Sequence, residues 1–501
     1  MPFRSLNILK LQKACCRLIG SLFLLPVFHL GAASGFQPEG GESPIIGSLG
    51  ADQTAPAIAI SSEGGYIVWQ DASGNGDGAA IRARRIGRNL TGALPPFWIN
   101  SHTNGIHEAP KVSLLADGGA VFVWRGGPLG KQGIFARFLK SGSSSTPVFN
   151  GEDVEVAPAG SVQNTSPAVV CLSDNSVVIA WSSFGSDGSL FGVQLQRFSS
   201  TGEKIGTQTQ ANLTTAYNQR ASTLAALASG GFVVGWVSEN QRFQNSVDVY
   251  ARTFSAAGSP LTGEMRLNTG TNVCSSPSLV GLPTGGFVAA WSEFDLAAPQ
   301  NSWDIYANAF DDGIVAAKPA VRVNYYLPYS QIEPRLSLAG DVILAVWTSL
   351  NQDGYREGVF GRYLSFSGEP TDDEFGLNQT VISQQKDPAV ASDGTSRFFA
   401  AWTSFKSMAS GFDLVSRTFA RPASAVAVKC SVAKVMDASG KLSAVTLSWP
   451  TASGVSYQVQ HSDNMSTWET STAAQTLLGT TSSVTLPISQ SGGFFRIISL
   501  P

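Results

Sequence analysis

Few residues of this 501-residue chain have the type and spacing to do chemistry. Glu108, Glu239, Glu293 and Glu333 stand beside turn-rich segments. Two carboxylates brought within about 5–10 Å could act as acid and base on a glycosidic bond, but nothing in the spacing of these four pairs them. Tyr217, Arg242, Phe243, Phe294, Trp303, Tyr325 and Tyr326 supply rings and a guanidinium that suit stacking on sugar faces or anchoring a peptide, and they are the candidate ligand-binding residues. Asp71, Ser73, Asn75 and Asp77 place oxygens at alternate positions around Gly76, as at the start of a calcium loop. Arg82 occupies the twelfth position, where a bidentate Glu is required, and an Asp/Asn/Gly turn uses the same residues. His102 and His107 beside Glu108 have no third His or Cys to complete a zinc set. The reading is therefore a turn and two loop histidines, with no metal and no cofactor.

Arg84, Arg137, Arg252, Arg362 and Arg417 recur at one position of a repeat. A cluster of arginines could clamp a carboxylate, as in sialidases, but the Ser-x-Asp-x-Gly-x-x-Trp turn of those enzymes is absent. One Arg per repeat also spreads around a ring rather than converging, so these side chains are expected to pair with neighbouring units.

The elements that must position such residues follow from the repeat. Trp69, Trp124, Trp181, Trp236, Trp291, Trp347 and Trp402 are 55, 57, 55, 55, 56 and 55 residues apart. Each closes an apolar run after a turn, Gly-rich in most copies, as in GGFVAAW. A Pro stands 13 or 14 residues upstream in six copies, and Ser222 replaces it in the fourth. A third strand-like run follows each Trp (IRARRI, IFARFL, VYARTF), and a fourth ends near Asn100, Asn268, Asn324 and Asn378. One unit is thus four short strands in about 55 residues, about half the length of an Ig-like domain, and a four-stranded sheet must stack on neighbours to cover both faces. Radial stacking predicts an all-β, seven-bladed β-propeller. The last repeat stops at Phe419 without a fourth strand, while Pro44-Ile45-Ile46-Gly47 lies nine residues ahead of Pro56, the spacing of Asn268 from Pro277. An N-terminal strand is therefore expected to close the last blade beside Val415–Phe419.

The unit Pro-x-apolar-x-x-Leu-x-(Asp/Ser)-Gly-Gly-apolar-Val-x-Trp, seen as PSLVGLPTGGFVAAW at 277–291, resembles the seven-bladed propeller repeats of secreted bacterial proteins across most of 44–421. That resemblance implies architecture, not activity. After Ala423 the period is lost, and short alternating runs around Val445–Trp449, Tyr457–Gln460, Trp468 and Phe494–Ile497 resemble a small fibronectin type III-like sandwich, with Trp449 as its core residue. Residues 1–34 read as a secretory signal peptide: Arg4, Lys10, Lys13 and Arg17, an apolar run, then Ala32-Ala33-Ser34. The expected organisation is signal peptide 1–34, linker 35–43, propeller 44–421 and sandwich 422–501.

With charged residues at 14% and a net charge of −3, the chain offers no basic field for nucleic acid. Its 43% hydrophobic content excludes disorder. Cys171, Cys274 and Cys430 make no disulfide framework. In each blade the loops between strands one and two, and three and four, are short. Those between strands two and three, and from blade to blade, are long, and they are expected to carry function. The leading expectation is a secreted, monomeric, non-catalytic binder of extracellular glycan or protein, with no membrane span after signal removal. The alternatives are a glycoside hydrolase or lyase with acids at the central opening, and a purely structural envelope component.

Overall fold

The computed structural model describes residues 35–421 apart from 48, 75–77, 143–145 and 161, together with 426–427, 430–450, 456–462, 467–471, 475–476, 481–487 and 494–500. The signal-peptide segment 1–34 and the calcium-loop candidates Asn75 and Asp77 lie outside the described residues. Phe36–Ala420 form one compact unit, and Arg421–Pro501 belong to another.

The first unit is a seven-bladed β-propeller of four-stranded antiparallel blades. Its innermost strands are Gln53–Ser61, Ile106–Leu114, Asn164–Cys171, Gln219–Ala226, Val273–Gly281, Gln331–Ala339 and Gln385–Ser392. Each packs on the next, and the last packs on the first, closing a ring.

The repeated residues hold this ring together. All seven Trp side chains are at most 1% exposed. Each fills the seam with the preceding blade; Trp291 packs against Val233, Val249 and Leu267, and Trp69 packs against Phe399 and Leu414 of the last blade. The second Gly of the Gly-Gly turns is required by close approach: a Cβ on Gly231 or Gly286 would strike the carbonyl of Phe254 or Phe310, which ends the third strand. The strand-ending Asn residues clasp strand four to strand three. The side-chain oxygens of Asn100, Asn212, Asn268, Asn324 and Asn378 accept from the backbone N–H of Ile81, Val193, Val249, Ile305 and Val359 at 2.7–3.0 Å. The recurrent Arg bolts blades together as expected: Arg137, Arg252, Arg362 and Arg417 donate to the carbonyls of Ile99, Ala211, Val323 and Leu377 in the preceding blade at 2.6–3.1 Å.

The closing strand pairs where expected but starts earlier. Gln37–Pro44 runs antiparallel to Gly411–Ala420, with Gln37 opposite Ala420 and Pro44 opposite Val415, and the Ile45 N–H continues to the Leu414 carbonyl at 3.0 Å. Residues 37–43, expected as linker, are therefore strand. This outermost strand is almost wholly exposed, so it carries no apolar alternation by which sequence could reveal it. Its Glu42 carboxylate accepts from the N–H groups of Gln379 and Thr380 after blade six (2.6 and 3.1 Å), as Glu264 of blade four does for Leu213 and Thr214 after blade three. The N-terminal strand thus supplies the same clasp as an ordinary fourth strand.

In the second unit Ser431–Met436, Leu442–Pro450 and Thr481–Pro487 form one sheet, and Val426–Ala427, Phe494–Leu500, Ser456–Ser462 and Glu469–Thr470 form another. Trp449 is buried with Val445, Leu447, Tyr457, Val459 and Ile497.

Candidate active site

Every inner strand is interrupted near its start by a bulge, where pairing with the second strand shifts register. The bulged residue precedes the recurrent Pro and has a left-handed φ: Ala55, Ala109, Ser166, Ala221, Ser276, Glu333 and Asp387, all between 51° and 58°. Such a bulge re-aims side chains, and the left-handed conformation costs about 1–2 kcal/mol per non-Gly residue. Five blades carry Ala or Ser there. Blades six and seven carry Glu333 and Asp387. Two residues further along, five blades carry Ala57, Ala168, Thr223, Ser278 and Ala389, whereas blades two and six carry Lys111 and Arg335. The scaffold is therefore satisfied by small residues at both positions, and four charges stand where closing the ring does not need them.

An axial cavity of about 360 Å³ is lined by residues of all seven inner strands, Lys111, Glu333 and Arg335 among them. Asp387, on the adjoining blade, is within electrostatic reach of Glu333, Arg335 and Lys111. Among the described residues, no ion pair within 4.0 Å ties Lys111, Glu333 or Arg335 to another side chain. Asp387 pairs with Lys386 at 4.0 Å, and its carboxyl is also hydrogen-bonded to Thr403. The Glu333 N–H donates to Ser292 Oγ at 3.0 Å, and Arg335 Nη1 donates to the Pro334 carbonyl at 3.0 Å; both residues line the cavity. Burial pushes the Lys111 ammonium down to about 8, helped by the Arg335 charge and opposed by Glu333 and Asp387. Burial also raises the Asp387 carboxyl; the Glu333 charge adds to this, while Lys386 and Arg335 oppose it.

The other candidate acids are held in local bonds. Glu108 accepts from Arg125 at 2.6 Å and Gln132 at 3.2 Å, Glu239 from Arg220 and Asn218 at 2.8 Å each, and Glu293 from Trp291 Nε1 at 2.9 Å and Asn272 at 3.0 Å. Only Glu333 of the four faces the axis. Lys111, Arg335 and Asp387 stand on inner strands, outside the long loops that the sequence marks as the functional face. The signal lay in the Pro flanks, where E-P-R, D-P-A and A-P-K depart from A-P-A, S-P-A and S-P-S.

The candidate ligand-binding residues all lie in or beside the long loops. Tyr325, Tyr217 and Phe243 are exposed (79%, 53% and 45%). Arg242 lies over the Phe243 ring at 4.7 Å and is tied to Asp248 and the Gly270 carbonyl at 2.7 Å each. Phe294 and Trp303 pack edge-to-face at 5.6 Å at the base of the blade-five insertion, and Tyr326 is half-buried, its carbonyl bonded by Asn324. Among the described residues, the exposed aromatics are Phe184, Tyr217, Phe243, Tyr325, Tyr329 and Tyr355, and every one is on this face of blades three to six. Asp71 is buried and holds the turn: its carboxylate accepts from Trp69 Nε1 at 3.1 Å, the Ser73 N–H at 2.9 Å and Arg82 Nη1 at 3.3 Å. His107 is likewise structural, its Nδ1 accepting from Trp124 Nε1 at 3.1 Å. No cluster of three or more His, Cys, Asp or Glu that could hold a metal occurs among the described residues.

No protein-family model and no curated protein matches the chain. Solved structures similar to it include the polysaccharide lyase Uly1, with 9% identity and a TM-score of 0.48 over 77% of this chain and 100% of that one. A protein of unknown function from Dyadobacter fermentans shares 12% identity at a TM-score of 0.47, over 64% of this chain and 96% of that one. An α-L-arabinofuranosidase of Fusarium graminearum shares 12% identity at 0.44, over 65% and 97%. Likeness at this level carries no activity across. Among the described residues no helix is long and apolar enough to cross a membrane.

Proposed function

We propose that the propeller cleaves a glycan in its axial cavity. The observation that carries this reading is the set of four charges, Lys111, Glu333, Arg335 and Asp387, at repeat positions that are otherwise Ala, Ser or Thr. In a hydrolysis, Asp387, whose carboxyl holds its proton to higher pH than usual, donates that proton to the departing glycosidic oxygen. Glu333 supplies the second carboxylate, taking a proton from the attacking water or bonding the anomeric carbon. The exposed aromatics of the long-loop face stack on sugar rings and deliver the chain to the cavity mouth.

A second reading is favoured by the lowered Lys111: in β-elimination its neutral amine removes the proton beside a sugar carboxylate, and the leaving oxygen takes a proton from Asp387. The two readings differ in product, a new reducing end alone or one accompanied by an unsaturated ring that absorbs in the ultraviolet.

The test is a polysaccharide panel assayed for both products. Glu333→Gln and Asp387→Asn should each lower turnover by about 10²–10⁴-fold with the fold intact. Wild-type turnover by these variants would move the chemistry away from the axial cavity, and no product from any polymer by the wild-type protein would leave the exposed loop face as a non-catalytic binding surface. The same reading places the protein outside the cytoplasm, with residues 1–34 as its export signal and the C-terminal unit as a fibronectin-like spacer.

A further inference from the structure

We propose that the glycan taken by the axial cavity is anionic, its acidic group held by Arg335 and Lys111. This rests on the hydrolytic reading of the cavity, in which Lys111 stays charged, and to that reading it adds the substrate class. Three observations carry it. First, both cations occupy the repeat position that is Ala, Thr or Ser in the other five blades, so neither is there to close the ring. Second, neither forms an ion pair within 4.0 Å among the described residues. The only side-chain bond of Arg335 goes to the carbonyl of its neighbour Pro334, leaving most of its donor fork free. Third, the charges are tiered. Lys111 and Arg335 lie two residues further along their strands than the bulge position of Glu333 and Asp387, so an acidic sugar anchored on the cations presents its glycosidic bond toward the carboxylates.

Charge bookkeeping agrees. Once Asp387 carries the proton it must donate, Glu333 is the single anion facing Lys111 and Arg335, and the cavity is one positive charge in excess. A carboxylate or a sulfate ester on the sugar neutralises that excess. The planar guanidinium engages either through two parallel bonds.

The experiment uses the full chain and a polyuronate, the same polymer after chemical reduction of its carboxyl groups, and a sulfated galactan. Binding is measured with the Asp387→Asn variant and cleavage with wild type. The expected result is binding and cleavage of one acidic polymer, at least 100-fold weaker action on its uncharged counterpart, and a comparable loss in Arg335→Gln. Arg335→Lys, which keeps the charge, should recover part of the activity. Preference for the polyuronate identifies a carboxylate, and preference for the galactan a sulfate. Equal cleavage of the reduced polymer, or full activity in Arg335→Gln, would overturn the anionic substrate while leaving glycan cleavage standing. Arg335-dependent binding without cleavage would keep the anion site and remove the catalytic reading. No Arg335-dependent binding of any acidic polymer would end the proposal.

Discussion

At the scale of single residues, the site is a departure from the repeat. The left-handed bulge of each inner strand favours small residues, and the chain nevertheless places Glu333 and Asp387 there. Their cost should be visible in stability. Because the Asp387 carboxyl is raised in the folded state, the native protein binds more protons than the unfolded chain from about pH 3.8 up to the raised value, and stability falls as pH rises through that window. Asp387→Asn removes that loss, so it should melt above wild type at pH 7 and converge with it below pH 3.8, as followed by thermal unfolding across pH. Lys111 has the opposite sign. Its ammonium is lowered to about 8 from 10.5, the unfolded chain binds more protons between those values, and stability rises with pH across them. Lys111→Met should therefore stabilise at pH 7 and lose its advantage above pH 10.5. Both variants should lose activity while gaining stability, the combination expected of a strained functional site. The sequence already displayed the four charges at the Pro flanks, but it could not show that these flanks face the axis. That required the bulge and its φ, which depend on pairing with the Trp strand.

Elements were more legible than the site. The Trp, Gly-Gly and Asn positions announced the four strands because each performs one physical task repeated from blade to blade: the Trp fills a seam in all seven, Gly-Gly admits a carbonyl, and Asn clasps strand four to strand three in five. Asn324 shows how much rests on one such residue. Besides accepting from the Ile305 N–H, its amide donates to Asp304 at 2.6 Å and to the Tyr326 carbonyl at 2.8 Å. Asn324→Ala should cost about 1–3 kcal/mol, read as a lower denaturant midpoint with unchanged slope. The strand Gln37–Pro44 was the least legible element, being polar and solvent-facing on both sides, and its Gly40 takes a φ of 83° in the irregular stretch between Glu39 and Ser43.

For the whole molecule, that inconspicuous strand decides whether the ring is closed. Phe36 anchors it, stacking on Tyr363 at 5.5 Å and packing on Phe398 at 4.6 Å. Removing residues 36–46 would bare the edge of Gly411–Ala420 and open the seam between the last and first blades. Such a chain should self-associate in light scattering and melt early, because an unpaired edge strand recruits another chain. The axial cavity, built from all seven blades, would be lost with it. A structure of the Asp387→Asn protein with an acidic oligosaccharide tests the account most directly. The expected structure holds a sugar in the axial cavity, its glycosidic bond between Glu333 and residue 387 and its acidic group on Arg335. Sugar confined to the aromatic loops around Tyr217 and Tyr325, with the cavity holding only water, would contradict it.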